Sequence, residues 1–376
     1  MALMADNKEL LQLKKEIERH NKLYHEQDNP EISDAEYDAL YQRLKELENI
    51  LGVDQDSPTQ QVGASTSRKF EKHNHLKPML SLSNVFSDED FYKFEERVLK
   101  RLNTDKTTFS VEPKFDGIGI SLTYENGNLT KAVTRGDGVT GEVVTNNIKT
   151  IAKVPHVIEY SSPKTIEIRG EVFFRLDDFS NINTKLEADD LKTFVSPRNA
   201  AAGTLRNLDI EIVKQRPLDI YFYGIGGHSD DAIYKSYEEF VNFLKKNNFP
   251  VCDLVSFGNA EHVVGSVSEI LSSREDLDYE IDGAVVKVND FLHQQKLGFV
   301  SKAPRWAVAW KFPASEKCSK VIDILFSVGR TGIVTPYATI EPVLISGANI
   351  SNVTLHNMDE LSRLDIKVND TVLVKR

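Results

Sequence analysis

Cysteine is almost missing from this chain: Cys252 and Cys318 are its only two among 376 residues. Two thiols so far apart give no disulfide framework, which points to a reducing, cytoplasmic setting. Long apolar runs are missing as well. No stretch approaches the ~20 residues that span a bilayer, and residues 1–9 lack the form of a secretory signal, so no membrane partner is expected. An excess of positive charge is also missing, since the net charge is −11 and the pI is near 5.4. That total argues mildly against nucleic acid as a partner, but binding depends on where the charges sit. Residues 185–216 hold a local basic supply: Lys185, Lys192, Arg198, Arg206, Lys214 and Arg216.

What is present is ordinary in bulk. A content of 40% hydrophobic and 27% charged residues fits a soluble globular protein, and the length fits two or three domains. Residues 7–50 read as helical, with Leu10, Leu13, Ile17 and Tyr24 at helical spacing among charged residues. Pro30 closes the first helix, and the capping box Ser33-Asp34-Ala35-Glu36 opens a second that runs to Leu51. From about 78 to 315 strands dominate, with candidates at 109–116, 118–124, 129–135, 165–174, 218–225, 279–288 and 305–312. Helices are expected at 88–101, 196–207, 235–247 and 261–273. Because helices do not separate the strands regularly, the fold class is α+β rather than doubly wound. Beyond Cys318, short strands at 321–328, 334–342 and 371–374 with Gly/Pro turns suggest the start of a small β-barrel, cut short at the last residue.

One segment carries chemistry. In 109–116, Phe109, Val111, Pro113 and Phe115 alternate with Ser110, Glu112, Lys114 and Asp116, so a strand would align acid, amine and acid on one face. Lysine suits a strand face of this kind when its amine attacks an electrophilic phosphorus to form a covalent adduct. Alone, Lys114-Phe115-Asp116-Gly117 reads better as a solvated strand edge entering an Asp-Gly turn. Three further strands repeat the pattern. Glu167, Arg169 and Glu171 share one parity, and Ala307, Ala309 and Lys311 another, where two alanines leave room above the face for a ligand. In 279–288, Asp282 and Lys287 have opposite parity, so either a bulge follows Asp282-Gly283 or one of the two lies outside the site. Lys114, Lys287 and Lys311 with Glu112, Asp116 and Glu171 point to one shared site.

These motifs resemble, in order, those of the covalent nucleotidyltransferases, which comprise DNA ligases, RNA ligases and capping enzymes. The residues concerned are 112–117, 167–171, 282–287 and 306–312. Tyr24-His25 and Asp34-Ala35-Glu36-Tyr37-Asp38 narrow the resemblance to the bacterial NAD-dependent DNA ligases, as do Ser81-Leu82-Ser83-Asn84, Thr134 to Gly138, and Ser196 to Gly203. The resemblance covers essentially the whole chain. It implies a helical nicotinamide-mononucleotide (NMN)-binding domain at 1–68, a nucleotidyltransferase (ATP-grasp-like adenylation) domain with antiparallel sheets at 69–315, and a truncated OB-fold at 316–376.

It also implies roles. Lys114 would take AMP from NAD, with Asp116, Lys287 and Lys311 as its catalytic companions. Ser81, Leu82, Glu112, Arg135, Glu171, Lys287 and Lys311 would hold the adenylate half. Tyr24, His25, Asp34, Ala35, Glu36, Tyr37 and Asp38 would hold the nicotinamide half. Arg198 and Arg206 would reach the phosphates of nicked double-stranded DNA. A monomer is expected, with Mg²⁺ serving the phosphates through oxygen ligands. Zinc is expected only in the cysteine module that family members carry beyond the OB-fold, which this sequence does not include. Self-adenylation is therefore expected to be stronger than nick sealing.

The chemistry makes one demand. An ordinary lysine pKa of ~10.4 leaves well under one amine in a hundred uncharged at neutral pH. Asp116 and Glu112 would hold the proton on, whereas Lys287, Lys311 and a divalent metal would favour the uncharged amine. Two other patterns compete for attention. Residues 136–141 match G-x-G-x-x-G after a strand with Glu159 beyond, a Rossmann signature, but Asp137 would repel a pyrophosphate. His73-Asn74-His75 could ligate a metal, yet it reads better as a surface strand entry. Two other functions stay open on the residues alone: an ATP-using ligase or capping enzyme, and a catalytically dead binding module.

Overall fold

The computed structural model describes residues 2–25, 32, 34–52, 57–60, 70–159, 164–229, 234–300, 303–313, 316–328, 334–345 and 348–375. Two compact units result: Met1–Ile32 with Glu36–Phe312, and Pro313–Arg376 with Ser33–Ala35.

The first unit begins with helices Ala2–His25 and Asp34–Leu51. Leu10, Leu13 and Ile17 of the first pack on Leu44 and Leu47 of the second, which is why the apolar spacing is helical on both. Pro30 and the Ser33 end of the capping box lie outside the described residues.

Two sheets follow. One has the order Ser83–Val85, Ala307–Lys311, Ile281–Val288, Phe109–Phe115, Ser256–Gly258, antiparallel except for the parallel pairing of its first two strands. Its apolar face meets helices Asp88–Leu102 and Ala260–Ser272, burying Phe91, Phe94 and Val98 with Phe109, Val111, Val286, Val263 and Val267. The other sheet is antiparallel throughout, in the order Asn128–Thr134, Ile118–Glu125, Thr165–Phe173, Asp219–His228. Its core includes Ile120, Leu122, Ile166, Ile168, Ile220 and Phe222, covered by Phe240 and Leu244 of helix Tyr237–Lys246.

The chain crosses from one sheet to the other at Asp116-Gly117, between strands Phe109–Phe115 and Ile118–Glu125. A Cβ on Gly117 would stand 2.3 Å from the carbonyl oxygen of Val172, so only glycine fits this crossing. The segment 136–141 is a turn and a short strand, Thr140–Glu142. Asp137 Oδ1 accepts the amides of Val139 and Thr140, and no helix opens there, which removes the Rossmann reading.

The second unit is a four-stranded antiparallel sheet, Ala348–Thr354, Val334–Ile345, Glu316–Val328, Thr371–Lys375, with helix Met358–Leu364. Val321, Ala338, Ile340, Ile345, Leu355 and Val374 form its core. The architecture is the mixed helix and antiparallel-sheet class expected from the sequence.

Candidate active site

The polar faces of the two sheets carry the charged residues. Pairing of Ile281–Val288 with Phe109–Phe115 sets Gly283 opposite Lys114, Val285 opposite Glu112 and Lys287 opposite Ser110. Lys114, Glu112 and Lys287 therefore project to one side. On the next strand Lys311 pairs with Gly283 and Ala307 with Lys287, which adds Lys311 to the same side. The register slips between Ile281 and Gly283, leaving Asp282 as the extra residue of a bulge. The bulge resolves the parity conflict. It turns the Asp282 carboxylate to Lys114, whose Nζ donates to both of its oxygens at 2.8 and 2.7 Å.

Asp282 is also the partner of Lys311, at 3.1 Å. Burial pushes the Asp282 carboxyl up, but the Lys114 and Lys311 ammoniums outweigh it and hold the group well below the usual carboxylate range. Lys311 in turn lies 3.1 Å from Asp38 Oδ2 on helix Asp34–Leu51. Thus one line of alternating charge runs from the lysine on strand Phe109–Phe115 to the N-terminal helices: Lys114, Asp282, Lys311, Asp38.

The other carboxylates have different partners from those expected. Glu112, 3% exposed, is ion-paired with Lys287 and accepts from the Tyr237 hydroxyl at 2.6 Å. Lys287 also donates to the Tyr223 carbonyl at 2.7 Å, with its ammonium 4.1 Å from the Tyr237 ring centroid. Burial lowers the Lys287 pKa, with Glu112 opposing. Asp116 takes Arg198 at 2.7 Å rather than Lys114. The expectation that Asp116 and Glu112 flank the amine is thus corrected: the flanking acid is Asp282, and Lys287 is occupied elsewhere. Ala307 and Ala309 are fully buried, so the room read above them is closed to solvent in this structure.

Glu171 accepts from the Tyr223 hydroxyl at 3.1 Å. Burial raises its pKa to about 7, against the pull of Arg198, Lys114, Tyr223 and Arg135. Arg135 donates to Ser81 Oγ at 2.9 Å and to the Met79 carbonyl at 3.3 Å. Leu82 is half-buried at the entry to strand Ser83–Val85. Tyr37 donates to Asn21 Oδ1 at 2.7 Å and stacks on Tyr41; burial pushes its hydroxyl up to about 12. Glu36 is half-buried on the same helix. The side chains of Tyr24, His25, Asp34 and Ala35 lie outside the described residues. Arg206 caps helix Pro197–Leu205 and donates to the Ala202 carbonyl, while Arg198 stands at the start of that helix, inside the cleft. His75 is not at the surface: it is buried, with Nε2 on the Arg135 carbonyl at 3.2 Å.

Among the described residues no group of three or more His, Cys, Asp and Glu could hold a metal ion. Asp282 is already paired with two cations and Glu112 and Asp116 with one each, and Glu171 accepts from the Tyr223 hydroxyl. This donor set does not fit a Mg²⁺ held by protein ligands, and no step below is routed through one.

A five-stranded mixed sheet with Lys114 on an interior strand, joined at Asp116-Gly117 to a four-stranded antiparallel sheet, in the motif order described above, is the architecture expected of a covalent nucleotidyltransferase. The profile described as NAD-dependent DNA ligase adenylation domain matches residues 67–315. The profile of the NAD-dependent DNA ligase OB-fold domain matches 318–376, and that of the DNA ligase-like N-terminal NAD⁺-binding domain matches 4–63. The chain is 47% identical to the DNA ligase of Thermodesulfovibrio yellowstonii, over 98% of this chain and 56% of that protein. It is 44% identical to the DNA ligase of Acinetobacter baumannii strain AYE, over 100% of this chain and 56% of that protein. The chain belongs to the NAD-dependent DNA ligase family. It spans a little over half the length of these curated relatives.

Proposed function

We propose that this chain carries out the first step of NAD-dependent DNA ligation, transfer of AMP from NAD to Lys114. The observation that carries the reading is the line Lys114–Asp282–Lys311–Asp38, which joins the nucleophile's strand to the helices matched by the NAD⁺-binding profile.

In the transfer, the Lys114 Nζ lone pair attacks the adenylyl phosphorus and an N–P bond forms. The P–O bond to NMN breaks, and NMN leaves with the electron pair on its phosphate oxygen. The Lys114 proton passes to Asp282, the nearest acceptor, and on to solvent. Asp282 holds a proton poorly, so it relays rather than stores it. Lys311 neutralises charge developing on the phosphate oxygens once the substrate competes for it. Glu112 and Lys287, fixed by Tyr237 and Tyr223, present one acceptor and one donor to the adenylate half. Ser81, Leu82, Arg135 and Glu171 line the same half, with Glu36, Tyr37 and Asp38 beside the nicotinamide half. Asp116 orients Arg198 toward the nucleotide or toward a 5′-phosphate.

The later steps, AMP transfer to the 5′-phosphate of nicked DNA and sealing by the 3′-hydroxyl, belong to the proposal as well. So do the division at 1–68, 69–315 and 316–376, a cytoplasmic monomer, a role for Arg206 on DNA phosphates, and Mg²⁺ carried in by the substrate's phosphates. Incubation with adenylate-labelled NAD or labelled ATP plus Mg²⁺ tests the core of it. Label from NAD alone, lost in Lys114→Ala, is the expected result; label from ATP, or none, overturns it.

A further inference from the structure

Residues 75–82 run without regular secondary structure between strands Lys72–Asn74 and Ser83–Val85. This strap is tied down at several points. His75 N donates to the Val139 carbonyl at 2.9 Å, and Met79 N to the Gly138 carbonyl at 2.7 Å. Strand Thr165–Phe173 supplies two more anchors from the face that also carries Glu171. Glu167, 2% exposed, accepts Leu76 N at 2.8 Å with one oxygen and Gly227 N at 2.9 Å with the other. Arg169 Nη2 donates to the Lys77 carbonyl at 2.5 Å.

The strap lies directly on the neighbouring strand. A Cβ on Gly227 would stand 2.2 Å from Leu76 Cβ, so glycine is required there for contact. At its far end, Ser81 is held by Arg135, and Leu82 leads into strand Ser83–Val85, which pairs with the strand of Lys311. The strap thus starts on the Glu171 sheet and ends on the Lys311 sheet. The anchors on its first half, at Leu76 and Lys77, come from the Glu171 sheet.

A buried carboxylate is a costly way to hold a loop unless both oxygens are satisfied, as they are here. Charge-assisted bonds to backbone amides are stronger and shorter than neutral ones, so the position they define is sharp. We propose that Glu167 and Arg169 are positioning residues, a clamp that sets the strap so that Ser81 and Leu82 close on the adenylate half of NAD. This rests on the adenylation reading above. Neither residue touches the reacting atoms; both act through the strap.

The clamp is tested by single-turnover self-adenylation of this chain with labelled NAD, separating the half-saturating NAD concentration from the maximal rate. Glu167→Gln replaces one acceptor oxygen by a donor that faces an N–H. Gly227→Ala lifts the strap from beneath without touching a charge, so it keeps the test open if the first variant folds poorly. Each should raise half-saturating NAD roughly tenfold or more and leave the maximal rate within about threefold. Hydrogen exchange at amides 75–82 should accelerate while 109–115 stay protected. Arg169→Lys, which keeps a charged donor, should lie closer to wild type than Arg169→Ala. Faster exchange in the strap with unchanged half-saturating NAD overturns the clamp, and so does unchanged exchange. A wild-type chain that takes no label from NAD sinks the adenylation reading instead, which the control distinguishes.

Discussion

Asp282 grips Lys114 through both carboxylate oxygens, at 2.7 and 2.8 Å, across 168 positions of sequence. The bulge at Asp282 is what makes that contact, since a regular strand would send this side chain to the opposite face. Asp282→Asn keeps the shape and one acceptor but removes the charge and the proton relay. Maximal adenylation rate should fall about a hundredfold, the lower range for loss of a positioned base. Quench-flow with labelled NAD measures it, and a near-normal rate would remove Asp282 from the proton path.

Asp38 reaches Lys311 from the N-terminal helices, with both side chains partly buried. The pair is close enough to the surface that Asp38→Ala should cost about 1 kcal/mol or less in unfolding free energy. Its effect on substrate should be larger, because Asp38 sits on the helix expected to meet the nicotinamide half. Half-saturating NAD should rise roughly tenfold, since loss of one charged hydrogen bond is worth at least that much. Equal NAD dependence in the variant and wild type, at matched stability, would contradict this placement.

Much of this fold is legible in the residues, for a physical reason. Elements with a clean period declare themselves: Leu10, Leu13 and Ile17 share a helical face, and the alternation of 109–116 marks the strand Phe109–Phe115. Helix Leu176–Ala188 is harder to see, because only Phe179 and Ile182 are buried among many polar residues. Strand Ala348–Thr354 has no strong alternation either. In the site, the lysines are visible and their partners are not. Which acid meets Lys114 depends on a register slip between strands far apart in sequence. Tyr223 and Tyr237 give no charge signal, yet they frame Lys287. Glu167 and Arg169 stand inside a recognised motif, but their partners are backbone groups, which a sequence pattern does not reveal.

Glu171 gives the site a proton near neutrality. The folded protein keeps this carboxyl protonated up to about pH 7, whereas an unperturbed glutamate releases its proton near 4.5. Between those values the folded state binds more protons than the unfolded state, so stability falls as pH rises. The full drop is at most about 3 kcal/mol, and it levels off above pH 7. Glu171→Gln should flatten that interval in urea unfolding followed from pH 4.5 to 8. A slope unchanged by the substitution would mean that other groups bind the protons.

The Glu112–Lys287 pair separates stability from catalysis. Both side chains are buried, at 4% and 11% exposure, and Tyr237 donates to the acid at 2.6 Å. Glu112→Ala leaves the Lys287 ammonium in a site from which water is excluded. The cost should be about 3 kcal/mol or more, as for other buried pairs broken on one side. Replacing both members, Glu112→Leu with Lys287→Met, removes the stranded charge and should recover most of that stability, because desolvation of the pair offsets much of its attraction. Adenylation should not recover with it, since neither replacement can donate to or accept from a nucleotide. Urea unfolding and labelled-NAD assays on the same three proteins read the two effects separately. Recovery of both stability and adenylation in the double variant would make the pair structural only, and would leave Asp282, Lys311 and Lys114 as the chemically active set.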